Sequence, residues 1–231
     1  HTSVLPTFNS LTIETMLWNI KELSNFFIYL NDDFFFNCSS QRQDFLEENR
    51  VVIYGHWQSN FIKKIKYMLR KFIQNKFGKI AEPKYSIAQM LSADCIGLSH
   101  YYEIHHRPHI LNRSMLKNFF DHNSQLLNKQ ISFKFRNIDQ LLPVGLSNHL
   151  AIQSNQAVLK ADVEIAYLKD DRNLEQFISD LANDEIKFGC IQSLDQLEKN
   201  AEQKLSFALT EKFKDVLPSQ IKANHQAQDV I

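Results

Sequence analysis

Two adjacent carboxylates, Asp32 and Asp33, follow Asn31 in a turn-forming triplet set between apolar segments. Phe26 to Leu30 form a short apolar and aromatic run suited to a buried strand, and Phe34 to Phe36 follow the triplet. Carboxylates buried without partners are costly or take up a proton. A hard divalent cation, Mg²⁺ or Mn²⁺, is the usual remedy because carboxylate oxygens match it. The plainer reading of the same triplet is a solvated turn at a strand end. Glu14 lies near a helix start, a further carboxylate of the same stretch. A histidine can act as acid, base or phosphate partner. His105, His106 and His109 invite a metal reading, but Pro108 keeps them off one regular helical face, and no carboxylate joins them at helical spacing. The structural alternative for Glu14 is a helix-end charge.

These groups need elements to hold them. Ser10 is placed to cap a helix with Ile13, Met16, Leu17 and Ile20 on one stripe. Val51 to Tyr54 reads as a strand. A strong helix follows, with Phe61, Ile62, Ile65, Met68, Leu69, Phe72 and Ile73 on its apolar stripe and Gly78 as its stop. Its other faces carry Lys63, Lys64, Lys66, Arg70, Lys71 and Lys76, with no acid between Asn60 and Ile80. This is either a solvated basic face or a peripheral contact with anionic lipid or polymer. Further helices are expected at Ser86 to Ile96, after an Asn112 cap, over residues 139–153 with a start disturbed by Pro143 and Gly145, and after an Asp171 cap. Phe133 and Phe135 read as extended chain. Lys187 to Gln192 reads as a buried strand, and Ser193 with Gln196 as a capping box for the last helix. The tail after Ser219 is polar.

Composition narrows the class. The 231 residues are 44% hydrophobic and 12% aromatic, ample for a core. Lys plus Arg and Asp plus Glu are equal at 26 each, so bulk charge gives no case for nucleic acid. No apolar run approaches the roughly 18 residues of a membrane helix, and no signal peptide is visible. Cys38, Cys95 and Cys190 lack metal or disulfide spacing and are expected as buried free thiols. With 5 Gly, the chain has no Gly-rich phosphate loop.

LPTFNS from Leu5, then Ile13-Glu14, then YLNDD from Tyr29 to Asp33 resemble the second signature block of the Stealth proteins. That family includes bacterial capsular polysaccharide phosphotransferases and the catalytic subunit of the lysosomal-enzyme N-acetylglucosamine-1-phosphotransferase. HRPH, from His106 to His109, followed by FKFRNIDQ around Arg136, is similar to the third block in both motif and interval. KFGCIQ resembles the last block, KFxCIND, with Gln192 and Ser193 in place of Asn and Asp. Trp18 and Asn19 stand where members commonly have a His-Arg or His-Lys pair, and Glu22 where they usually have Gly. The chain begins at His1, and the family's earlier YTWVDG-like block is not in it.

The resemblance implies transfer of a hexose 1-phosphate from a UDP-sugar to a glycan hydroxyl in capsular or cell-surface polysaccharide synthesis, forming a phosphodiester and releasing UMP. It implies Asp32 and Asp33 as metal ligands for Mg²⁺ or Mn²⁺, and Asn31 and Arg136 as donor contacts. His106, Arg136, Asp33 and Glu14 are then the catalytic positions, with the base either His106 or Glu14. The structural alternative for Arg136 is a pair with Asp139. The alternatives are a metal-dependent glycosyltransferase and a non-catalytic binding or scaffold piece. The expected fold is a single catalytic-type α/β domain over residues 1–231, nucleotide-sugar transferase-like. It has a small central sheet built from segments 26–31, 51–54 and 187–191, flanked by many helices and missing its N-terminal strands. Expected partners are the UDP-sugar donor and the polysaccharide acceptor, with no nucleic acid. The expected location is the cytoplasm, peripheral at the inner membrane face through the basic helix of Lys63 to Lys76.

Overall fold

Asn9, not Ser10, caps the first helix: its side chain accepts from the Leu11 N–H at 3.2 Å. The computed structural model describes residues 4–78 and 80–218, so the polar tail read from Ser219 lies outside the described residues. The elements in order are α1 (Ser10–Thr15), β1 (Phe26–Tyr29), β2 (Phe34–Phe36), β3 (Leu46–Glu47), β4 (Arg50–Tyr54), β5 (His56–Ser59), α2 (Asn60–Phe77), α3 (Tyr85–Asp94), β6 (His100–Glu103), β7 (His109–Asn112), α4 (Arg113–His122), α5 (Ser124–Ile131), α6 (Pro143–Gln153), β8 (Ala157–Lys160), β9 (Ala166–Leu168), α7 (Leu174–Ala182), β10 (Phe188–Ile191) and α8 (Lys199–Phe213). The mixed α/β class is borne out. Among the described residues no helix is long and apolar enough to cross a membrane.

The described residues pack as two units, one within 1–29 and 41–162, the other within 30–40 and 163–218. In the first unit β1 pairs antiparallel with β7, and β5 antiparallel with β6. β4 lies between β3, antiparallel, and β8, parallel. Val51, Val52 and Ile53 are all buried, the unbroken apolar run expected of a strand covered on both faces. In the second unit β10 lies between β2, antiparallel, and β9, parallel. The three segments expected to share one central sheet therefore sit in three different small sheets. A short apolar run specifies a strand, but not which edge it pairs with.

Helix details follow the same local physics. α1 buries Leu11, Thr12 and Thr15, whereas Ile13 and Ile20 of the expected stripe are exposed. The inward threonines are satisfied: Thr12 Oγ1 donates to the Phe133 carbonyl at 3.1 Å and Thr15 Oγ1 to that of Leu11. Phe133 and Phe135 lie in irregular chain, not in a strand. Pro143 opens α6 at its first turn, where its missing N–H costs nothing, so it starts this helix rather than disturbing it. Asn112 caps α4 as expected, accepting from Met115 N at 3.1 Å. Asp170, not Asp171, caps the 3-10 turn that leads into α7. Ser193 takes a left-handed conformation (φ 53°) and makes no capping bond, so the expected capping box is not formed and α8 begins at Lys199. Of the three thiols only Cys190 is buried, and Cys95 is exposed.

Apolar clusters form among the described residues of the first unit. One gathers Trp18, Leu116, Phe120, Leu127 and Ile131 beneath α4 and α5. Another joins Ile87, Met90 and Ala93 of α3 to Tyr101 and Ile138. The second unit packs Leu174, Phe177 and Leu181 of α7 against Ala166 and Leu168 of β9 and Leu205 of α8. α2 ends at Gly78 in the left-handed region (φ 65°), as its sequence demands.

Candidate functional site

In the first unit, residues distant in sequence meet around α1. Because Asn9 provides the cap, the Ser10 hydroxyl is free to bridge. It accepts from Arg136 Nε at 3.2 Å and from the second guanidinium nitrogen at 2.7 Å, and it lies near enough to the Glu14 carboxylate, one turn along, to favour its charged form. The Tyr29 hydroxyl, at the end of β1, donates to Glu14. Burial, the largest influence, raises the proton affinity of Glu14. The hydrogen bonds from Tyr29 and Ser10 and the charge of Arg136 oppose it without cancelling it. Burial and the neighbouring Glu14 charge push the Tyr29 phenol well above its usual range. Tyr85, at the start of α3, feels the Glu14 charge as well, and its ring stacks on His106 with centroids 4.1 Å apart and planes at 30°. Glu14, Arg136 and His106 are thus linked through Ser10, Tyr29 and Tyr85.

The remaining histidines of the segment are engaged elsewhere. His105 pairs with Asp162, which also receives the buried Arg107. His109 is buried with Nε2 at 3.1 Å from the His105 carbonyl oxygen; burial and the Arg107 charge lower its pKa to about 3. Arg107 lies 5.6 Å from the Tyr54 ring centroid and its pKa is lowered by burial to about 10. Asp139, the alternative partner for Arg136, instead takes Lys71 Nζ at 2.6 Å and the Tyr67 hydroxyl at 2.9 Å.

In the second unit, Asn31, Asp32 and Asp33 form the turn into β2, with the Phe34 N–H donating to the Asn31 carbonyl at 3.2 Å. Asp32 is exposed. Asp33 lies beside the end of β10: its carbonyl accepts from Ile191 N at 2.9 Å, and its Oδ2 faces Cys190 Sγ at 3.5 Å and Gln192 Nε2 at 3.4 Å. Burial, then the Asp33 charge, pushes the Cys190 thiol up to about 12. Asp33 Oδ1 is buried with no hydrogen-bond partner. An orphaned carboxylate oxygen next to a second carboxylate fits a hard cation. Among the described residues no group of three or more His, Cys, Asp or Glu could hold a metal. Ligands beyond these carboxylates would then be water and phosphate oxygens, as is usual for Mg²⁺.

Sequence reasoning missed Ser10 as a bridge, Tyr29 and Tyr85 as neighbours of Glu14, and Gln192 as a partner of Asp33. Tyr29 had a signal, since it is the polar-tipped residue of the YLNDD segment. Tyr85 had none.

Residues 1–53 match the family model for Stealth protein CR2, conserved region 2. Over 50 residues the chain is 48% identical to an exopolysaccharide phosphotransferase of Streptomyces coelicolor, covering 22% of this chain and 8% of that protein. Over 50 residues it is 44% identical to the capsular polysaccharide phosphotransferase SacB of Neisseria meningitidis serogroup A, covering 22% and 9%. Over 45 residues it is 49% identical to the capsular polysaccharide phosphotransferase WcwK of Streptococcus pneumoniae, covering 20% and 13%. The matches thus span about a tenth of these relatives' length. These findings support a similarity of residues 1–53 to conserved region 2 of the Stealth family. Glu14, Tyr29, Asn31, Asp32 and Asp33 fall inside the matched region; His106, Arg136 and Gln192 fall beyond it.

Proposed function

We propose that this chain transfers a hexose 1-phosphate from a UDP-sugar to a hydroxyl of a capsular or cell-surface polysaccharide, in the cytoplasm. The observation that supports the reading is the meeting of Glu14, Ser10 and Arg136, within and beyond a region similar to sugar phosphotransferases. Asp32 and Asp33 would hold Mg²⁺ or Mn²⁺, which would supply charge neutralisation to phosphate oxygens. Asn31 contacts the donor beside them. Arg136 binds a phosphoryl oxygen through the guanidinium edge that Ser10 orients. The acceptor oxygen forms a bond to phosphorus, the bond from phosphorus to the UMP oxygen breaks, and the acceptor proton passes to a base. Glu14 suits that base because a carboxylate with raised proton affinity accepts a proton better near neutral pH. His106, stacked on Tyr85, is placed to orient the phosphate.

Product analysis with UDP-N-acetylhexosamine, Mg²⁺ and a polysaccharide acceptor tests the reaction. UMP release is expected; UDP release would identify a glycosyltransferase instead. Calorimetry with and without Mg²⁺ tests the site: donor binding should need the metal, and Asp33→Asn should weaken it at least tenfold. Absence of any metal-dependent donor binding would leave the scaffold reading.

A further inference from the structure

α2 presents its faces the opposite way from an ordinary surface helix. Four of its basic residues contact the protein: Lys63 Nζ meets Ser86 Oγ at 3.1 Å, Lys64 pairs with Asp94 at 2.7 Å, Arg70 donates to the Glu82 carbonyl at 3.1 Å, and Lys71 pairs with Asp139. The apolar stripe points outward, with Phe61 69%, Met68 62% and Phe72 58% exposed, and Ile62, Ile65, Leu69 and Phe77 exposed beside them. An amphipathic helix normally buries that stripe, and an apolar patch of this extent marks a binding surface. Over 18 residues the face is about 27 Å long.

We infer that the outward face of α2 seats on a lipid bilayer bearing anionic headgroups. Charge selects this occupant. Among the described residues the ionic groups on the face are Lys66 and Lys76, both exposed, and no acid occurs in the sequence between Asn60 and Ile80. Lys76 Nζ lies 5.7 and 5.5 Å from the Phe72 and Phe77 ring centroids, an aliphatic stem laid over apolar surface with a cationic tip beside it. Nearby acids are already paired, Asp94 with Lys64 and Glu82 with Lys84. A second copy of the chain would set like charges against one another, whereas an anionic membrane accepts both the stripe and the lysines. Four of the six basic residues expected to meet lipid, Lys63, Lys64, Arg70 and Lys71, instead hold the helix to the protein. The inference does not depend on the transfer reaction.

The test is partitioning of the full chain onto large unilamellar vesicles of phosphatidylcholine, alone or with one third phosphatidylglycerol. Binding about tenfold stronger to the anionic vesicles is expected. Lys66→Glu with Lys76→Glu should erase that preference, and Leu69→Asn with Phe72→Asn should remove binding to both vesicles. These side chains are exposed, so far-ultraviolet circular dichroism should stay unchanged; Phe72→Trp, whose emission should shift to the blue on anionic vesicles, gives a second readout. No partitioning, equal partitioning onto both vesicles, or self-association abolished by Phe72→Asn in a chain that ignores vesicles would overturn the inference.

Discussion

Glu14 shows how a single carboxyl can be set for two tasks by its surroundings. It lies on α1 where burial favours its neutral form, while Tyr29, Ser10 and Arg136 favour the charged one, and burial prevails. A carboxyl with higher proton affinity folded than unfolded stabilises the fold fully below its ordinary value of 4.5. That stability is lost as pH rises through the folded value. Glu14→Gln should therefore have a flatter dependence of urea midpoint on pH than the parent above pH 4.5, and equal or better stability at neutral pH. The same variant should lose transferase turnover if Glu14 is the base. The candidates Glu14, Asp32, Asp33, His106 and Arg136 could be named from the sequence. The Arg136–Ser10–Glu14 grouping could not, because it depends on Asn9 taking the cap and leaving Ser10 free.

Elements obeyed their local signals in position more often than in orientation. The α2 boundaries follow from its periodicity and Gly78, but the direction of its stripe does not, since periodicity defines two faces without saying which one is covered. Pro143 carries the same lesson, being a helix breaker in an interior and a helix starter at the first turn. In β10, Gly189 lies opposite Phe35 of β2, and a Cβ there would come within 2.1 Å of Phe35 Cζ. Gly189→Ala must displace that ring, at a cost of about 1–3 kcal/mol to the second unit. Faster labelling of the buried Cys190 thiol under native conditions would report it, since that thiol reacts only when exposed.

At the scale of the whole chain, acid sensitivity is built into the first unit. The His149 ring is buried in α6, and its Nε2 accepts from the Tyr102 N–H at 2.9 Å, so protonation would set two donors face to face. Burial lowers its pKa from 6.5 to about 4. A histidine with a depressed folded value stabilises the fold fully above its unfolded value and loses that stability as pH falls towards the folded one. The loss between those values is on the order of 3 kcal/mol. His149→Gln keeps an acceptor for Tyr102 but does not titrate. Its urea midpoint should fall less than that of the parent between pH 7 and pH 4, and a parallel fall would refute the assignment. The buried His109 adds a loss of the same sign.

The sequence by itself determined the chemical groups, most helix and strand positions, and the family signal in its first 53 residues, because these depend on residue type and short-range spacing. Tertiary structure alone decided that three short strands belong to three sheets, that Arg136 bonds Ser10 beside Glu14, that Gln192 faces Asp33, and that α2 turns its greasy side outward. Pairing partners and buried faces are chosen by which distant surfaces meet, and that choice leaves no mark in local periodicity.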